Sequence, residues 1–244
     1  MIIKRPEMRR ILTAFIFPWF FPLSYVICAP IAIIGVMISG NQDFAYKMGR
    51  IWSKMVLTVC GIKVETRSKA RENIQPPVVF ACNHASQMDI LALYIALPVP
   101  FRFLVKKELF KVPLLGYAMK KAGYIPIDRK NSRAAVKSMK EAAQRLKRGA
   151  SIVIFPEGTR SVDGRLQPFK EGGFMLAVRS GCPVVPVAIK GSHDVMPKGA
   201  LLARPGRIVV NVGAPILVEE DGKKLSRSEI SNRAHLQLLR MLQD

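Results

Sequence analysis

Acidic side chains are scarce in this chain: 17 Asp and Glu stand against 38 Lys and Arg, leaving a net charge of +21. That imbalance favours an anionic surface, whether nucleic acid, an acidic carrier protein or anionic lipid. The basic residues cluster at 4–10, 106–111, 120–133 and 137–148, yet neither zinc-finger spacing nor an RNA-binding signature accompanies them. Cysteine is sparse as well. Cys28, Cys60, Cys82 and Cys182 are widely spaced and form no CxxC pair, which argues against a disulfide framework and reads as reduced, buried thiols of a cytosol-facing protein. With the three histidines equally dispersed, no metal site and no cofactor are expected. Gly172-Gly173 and the glycines at 199 and 206 lack the strand–GxGxxG–helix context of a dinucleotide fingerprint. No repeat or low-complexity linker divides the chain.

Charge is absent altogether from residues 11–42, and the part up to Ile38 exceeds the ~20 apolar residues that span a bilayer. This is too long for a cleaved signal peptide, and no convincing small-residue cleavage site follows it. A nucleic-acid binder has no use for such a segment, so a membrane surface is the better reading of the positive charge. Lys4, Arg5, Arg9 and Arg10 precede the run and Lys47, Arg50 and Lys54 follow it, so the positive-inside rule assigns no orientation to a single span. Equal flanking charge suits a segment that enters and leaves one leaflet, with Pro18, Pro22 and Pro30 as the expected bends. Next, Phe44, Met48, Ile51, Trp52, Met55, Val56 and Val59 recur at helical spacing, predicting an amphipathic helix that ends near Gly61. That helix either docks on the membrane or packs on the core.

Beyond Gly61 short β-rich runs alternate with amphipathic stretches. Strands are expected at 62–67, 78–81, 101–105, 124–127, 151–155, 184–189 and 207–212, and helices at 89–97, 113–121, 132–148, 173–180 and 226–242. This pattern predicts an α/β fold, a mainly parallel central sheet covered by helices on both faces. The expected division is a membrane-associating two-helix segment at 1–61 and a catalytic domain at 62–244.

Two polar islands carry the chemistry: Asn83-His84-Ala85-Ser86-Gln87-Met88-Asp89 and Phe155-Pro156-Glu157-Gly158-Thr159-Arg160-Ser161. In the first, Asp89 follows His84 by five residues, the spacing at which a carboxylate in the first turn of a helix can orient a loop histidine as a base. Neither His193 nor His235 has an Asp at that distance. The second island can clamp an anion: Arg160 can grip a phosphate with two parallel hydrogen bonds, and Gly158 lets the backbone approach it. A carboxylate beside a phosphate repels it, so Glu157 is expected to position Arg160 or the glycerol of an acceptor. Ser192-His193-Asp194 holds the three residue types of a hydrolase triad, but neighbours in an extended run cannot converge. The polar helix bearing Lys137, Lys140, Arg145, Lys147 and Arg148 reads as solvated, with docking of an acidic carrier or membrane as the alternative.

The two islands closely resemble the NHxxxxD and FPEGTR motifs of the membrane glycerolipid acyltransferases, especially the bacterial-type 1-acyl-glycerol-3-phosphate acyltransferases. Residues 123–129 and 184–189 fall where that family has its second and fourth motifs, so the resemblance runs from about Val78 to Ile189. It implies an enzyme of phospholipid biosynthesis that moves a fatty acyl group from acyl carrier protein or coenzyme A to the sn-2 hydroxyl of lysophosphatidic acid, giving phosphatidic acid. His84 and Asp89 would be catalytic, and Asn83, Lys106, Arg129, Glu157, Gly158, Thr159 and Arg160 would bind substrate. Lys106, next to Lys107, is a candidate for the oxyanion by its own chemistry, with surface solvation of either lysine as the alternative; the family's second motif suggests Arg129 as a second phosphate contact, and Asn83 shapes the loop. The two-helix segment would dock on an anionic phospholipid membrane, the cytoplasmic face of the cell inner membrane, with no nucleic acid as partner. Two alternatives stand beside this: acylation of another lysolipid or of glycerol 3-phosphate, and a non-catalytic basic adaptor at a membrane surface. The adaptor would not need His84, Asp89, Glu157 and Arg160 together.

Overall fold

The computed structural model describes residues 5–67, 73–128 and 131–243. Two helices, α1 (Arg5–Ser39) and α2 (Asp43–Val59), lead into a strand–helix alternation. It runs β1 (Ile62–Arg67), β2 (Val79–Cys82), α3 (Met88–Ala96), β3 (Phe101–Lys106), α4 (Leu115–Lys121), β4 (Ile125–Ile127), α5 (Ser132–Lys147), β5 (Ser151–Ile154), α6 (Met175–Ser180), β6 (Val184–Lys190), α7 (Ser192–Val195) and β7 (Gly206–Val212). A two-stranded hairpin, β8 (Glu219–Glu220) and β9 (Lys223–Lys224), and α8 (Arg227–Gln243) complete it.

Seven strands form one sheet in the order β1-β7-β6-β2-β5-β3-β4. The five from β6 to β4 are parallel to one another. β7 runs against β6, and β1 pairs parallel to β7. The parallel centre is buried on both sides, which is why β2 and β5 are continuous apolar runs rather than alternating ones. Alternation survives in which face each residue packs on. Phe80, Cys82, Val153, Val185 and Val187 join the core under α2 and α3, whereas Val79, Ala81, Ile152, Ile154 and Val184 join the core under α5, α6 and α8.

Local signals set the helix ends. The Asn131 side chain accepts the Ala134 N–H at 3.0 Å to start α5, and Gly181, at φ 78°, ends α6. Ser226 and Glu229 exchange side-chain and backbone bonds of 3.2 and 2.8 Å, a capping box that starts α8.

Two expectations need correction. The prolines do not break the N-terminal run: α1 continues through Pro18, Pro22 and Pro30 as one helix of 35 residues. Each proline removes a single backbone donor, and the intact turns between them, packed along α2, keep the helix in register. Ser192-His193-Asp194 is not extended but lies in the short helix α7, where adjacent side chains diverge by about 100° and still cannot form a triad.

The α1–α2 pair shares the catalytic core. Phe17, Tyr46, Val56 and Leu57 belong to the same cluster as Phe80 and Leu93. Trp52 packs tilted against Phe21, with ring centroids 5.2 Å apart, and donates its indole N–H to Ser24 Oγ at 3.0 Å, tying α2 to α1. Arg102, buried on β3, reaches Asp43 at 2.8 Å and ties the start of α2 to the sheet. The outer face of α1 leaves Trp19, Leu23, Ile27, Ile34 and Ile38 exposed, and residues Phe15–Ser39 are long and apolar enough to cross a membrane.

Candidate active site

The loops leaving the carboxyl ends of β2 and β5, the positions where open α/β sheets bind ligands, bring the two polar islands together. His84 Nδ1 lies 2.8 Å from Asp89 Oδ2; the histidine side chain is 15 % exposed and the aspartate fully buried. The same oxygen accepts the N–H groups of Ala85 at 2.9 Å and Ser86 at 2.8 Å. An oxygen already accepting two backbone N–H groups acts as an acceptor toward the ring too, so Nδ1 carries the hydrogen of this contact. Asp89 Oδ1 is buried with no hydrogen-bond partner among the described residues.

The imidazole has a second support. Phe155 stacks on it with centroids 4.0 Å apart and planes 19° from parallel, and Phe103 stacks behind Phe155 at 6.2 Å. Ser86 Oγ donates to the Met196 carbonyl at 2.7 Å and accepts the Met88 N–H at 3.1 Å, closing the loop onto the chain after α7. Asn83 pairs with the backbone of Ile189 in both directions, at 2.9 and 2.7 Å, and so extends the contact of β2 with β6 by one side chain.

Glu157 is buried between the islands. Its Oε1 accepts the backbone N–H of His84 at 2.6 Å and its Oε2 that of Gln167 at 3.0 Å. Burial pushes its carboxyl up to about 7 against the pull of these two bonds, with the Asp89 charge adding to the rise. Ser161 N–H donates to the His84 carbonyl at 2.8 Å, so both backbone polar groups of the histidine are held by the second island.

An apolar cavity of about 560 Å³ opens beside the dyad. Its walls come from α1 (Tyr25, Ala29), α2 (Met48, Trp52) and the β3–α4 region (Leu109, Met119). His84, Lys106, Thr159 and Arg160 line it as well and supply its polar part. Arg160 has no ion-pair partner among the described residues. The Lys106 side chain is exposed, 3.8 Å from Glu108, while Lys107 is taken up by Asp128.

Of the residues expected from sequence to touch substrate, Lys106, Thr159 and Arg160 line this cavity together with the base. Asn83, Glu157 and Gly158 do not line it. The polar side-chain atoms of Asn83 and Glu157 instead bond backbone partners. Gly158, at φ 79°, makes the turn that a side chain would strain. Arg129 lies outside the described residues. Sequence reasoning missed the Phe155 stack, although Phe155 opens the second island, and it missed Lys198. Lys198 Nζ donates to the Arg160 carbonyl at 3.0 Å and lies 3.4 Å from Thr159 Oγ1, bracing the clamp turn from a position with no local signal. Cys82, the cysteine nearest the dyad in sequence, is fully buried, and desolvation together with the Asp89 charge holds its thiol well above the ordinary value. It is no nucleophile. Among the described residues no cluster of His, Cys, Asp and Glu could hold a metal.

The sequence and the fold have known counterparts. Residues 61–190 match the model of the Acyltransferase family. A chloroplastic 1-acyl-sn-glycerol-3-phosphate acyltransferase of Arabidopsis thaliana is 40 % identical over 178 residues, covering 72 % of this chain and 49 % of that protein. The alpha form of 1-acyl-sn-glycerol-3-phosphate acyltransferase from Bos taurus is 32 % identical over 207 residues, 82 % of this chain and 72 % of that protein. The chain spans about half the length of the plant relatives from Brassica napus and Arabidopsis thaliana, 52 % and 49 %. The crystal structure of the 1-acyl-sn-glycerophosphate (LPA) acyltransferase PlsC from Thermotoga maritima superposes with a TM-score of 0.79 at 24 % identity over 97 % of both chains, a likeness of fold.

Proposed function

The chain belongs to the Acyltransferase family, and from that premise we propose that it transfers a fatty acyl group from a thioester, of acyl carrier protein or coenzyme A, to the sn-2 hydroxyl of lysophosphatidic acid. The product is phosphatidic acid. One observation carries the reading: a histidine oriented by a buried aspartate stands at the wall of an apolar cavity that also presents an arginine with no ion-pair partner among the described residues. The cavity suits an acyl chain, Arg160 a phosphate, and His84 a hydroxyl placed between them.

In this scheme the Nε2 lone pair of His84 takes the proton of the sn-2 hydroxyl as the oxygen attacks the thioester carbonyl carbon. Asp89 stabilises the imidazolium that forms, and Phe155 keeps the ring plane fixed. Collapse of the tetrahedral intermediate breaks the C–S bond, and the thiolate leaves with the proton returned by His84. The thioester is already activated, so the scheme needs no acyl-enzyme. Lys106 serves the developing oxyanion, and Arg160, with Arg129, holds the phosphate.

The protein works at a membrane, with the exposed face of α1 in the lipid. We assign it to the cytoplasmic face of the inner membrane, supported by the excess of Lys and Arg and the lack of disulfides. The deciding experiment offers purified protein in vesicles both donors and a set of acceptors: lysophosphatidic acid, other lysolipids and glycerol 3-phosphate. Thiol release dependent on lysophosphatidic acid, with phosphatidic acid as product, is expected. Release only with a different acceptor would replace the substrate, and none with any acceptor would remove the activity.

A further inference from the structure

Leaving β3, the chain forms a 3-10 turn (Lys107–Lys111) and then reverses at Leu114, whose φ of 60° and ψ of −51° put a bulky residue in the positive-φ region that non-glycine residues rarely enter. The Leu115 N–H donates to the Pro113 carbonyl at 2.6 Å, two residues back, which makes this a γ-turn of the rare, strained kind. A turn of that cost is kept where its shape is used. Here it holds Val112 and Pro113 out as a tip while Leu115 turns into the cavity. Gly116 permits the reversal, because a Cβ there would lie 2.0 Å from the Phe110 carbonyl oxygen.

Three large apolar side chains stand exposed around this reversal: Leu109 at 43 %, Val112 at 44 % and Tyr117 at 48 %. Leu109 and Leu115, on either side of the tip in sequence, line the cavity. Residues 106–121 hold five lysines against a single acid, Glu108. Lys121 sits 5.4 Å over the Tyr117 ring, an aromatic and a cation paired as they are at a headgroup boundary. Finally, α4 packs against α1, so the tip adjoins the helix whose outer face is apolar.

We propose that residues 109–117 form a second membrane-inserting lip, on the catalytic domain itself, which seats Val112, Pro113 and Tyr117 in the same leaflet of an anionic bilayer as α1 and opens the cavity rim to the lipid. The proposal rests on the reading of the cavity as a lipid-substrate site. A bilayer is the occupant because the patch is exposed and apolar, lies where α4 packs against the apolar helix α1, and is bordered by lysines, which anionic headgroups attract within a Debye length of ~8–10 Å. With the lip inserted, a lysolipid moves sideways from the leaflet into the cavity and its chain need not cross water.

The test is a nitroxide at Val112→Cys, with Lys147→Cys on α5, over the opposite face of the sheet, as control and the unsubstituted protein, labelled in parallel, as blank for its own thiols. In phosphatidylglycerol-containing vesicles the label at 112 is expected to become accessible to oxygen and shielded from an aqueous nickel chelate, while the label at 147 stays in water. A label at 112 as open to nickel on vesicles as in solution overturns the lip. Shielding that appears without vesicles and grows with protein concentration overturns it too, in favour of a second copy on this face. A complementary variant, Val112→Asp, is expected to slow acylation of a long-chain acceptor in vesicles by about tenfold while leaving a short-chain, water-soluble acceptor unaffected; a tenfold change corresponds to ~1.4 kcal/mol of partitioning. Equal loss on both acceptors overturns the proposal. Failure of the underlying acyl-transfer reading is separable, because it abolishes turnover of the water-soluble acceptor by the unsubstituted protein.

Discussion

The polar and apolar parts of the site are held by different physics. Around His84 and Glu157, five hydrogen bonds of 2.6–3.0 Å fix one histidine, its backbone and the loop after it, and every group involved is directional. The cavity walls have almost none of this. Their shape depends on side chains such as Met48, Leu109 and Met119 packing across three separate elements. A hydrogen-bonded constellation tolerates displacements of a fraction of an ångström, whereas an apolar wall can repack for less than ~1.5 kcal/mol when volume is conserved. In the acyl transfer proposed above, the division would give the chemistry to the rigid end and the choice of chain to the soft one.

The comparison can be broken most severely at the base. His84→Ala is expected to lower acyl transfer by ~10²–10⁴-fold. Asp89→Asn should be less complete, because it removes the orienting charge and leaves the base; flotation with vesicles should be unchanged in both. Next comes the clamp: Arg160→Ala should raise the KM for lysophosphatidic acid by roughly 10–100-fold, the worth of charge-assisted hydrogen bonds at ~1.5–3 kcal/mol, and leave the thioester KM nearly unchanged. An equal rise for an acceptor without phosphate would remove Arg160 from that role.

Glu157→Gln sharpens the comparison through pH. The carboxyl is raised from 4.5 to about 7 on folding, so the folded protein holds that proton more tightly than the unfolded chain does. Stability is therefore fully present below pH ~4.5 and falls as pH rises toward ~7, by at most about 1.4 kcal/mol per pH unit from this group. Urea unfolding of wild type minus Glu157→Gln should show that slope, and a difference independent of pH would contradict it. The smallest effect is expected in the wall. A methyl at Gly49 would lie 2.8 Å from the Tyr94 ring, so Gly49→Ala must push that ring, which is hydrogen-bonded to Tyr124. Donor competition assays should show preference moving to shorter chains, with the rate on the shortest donors retained.

The same division governs how much of the molecule is legible in its amino-acid sequence. All seven strands of the main sheet lie within a residue or two of where their β-rich runs predict them, since a buried parallel sheet writes itself as short apolar segments. The pairing of His84 with Asp89 is legible for a local reason, a carboxylate in the first turn of α3. The role of Glu157 is not: its partner His84 is 73 residues away, and only the adjacency of β2 and β5 brings them together. Lys198 is hidden in the same way, one lysine among many until the chain after α7 folds back over Arg160. The prolines of α1 mislead because they signal a lost hydrogen bond, not whether the neighbouring turns and α2 hold the helix together without it.

The central claim is direct transfer, with His84 as base and no acyl group carried by the protein. Mixing stoichiometric enzyme with acyl thioester in vesicles, before any acceptor is added, and measuring free thiol in the first turnover tests it most directly. The account predicts no burst of thiol until lysophosphatidic acid arrives, then one thiol per phosphatidic acid formed. A burst equal to the enzyme concentration in the absence of acceptor, with the acyl group recovered on the protein, would contradict it.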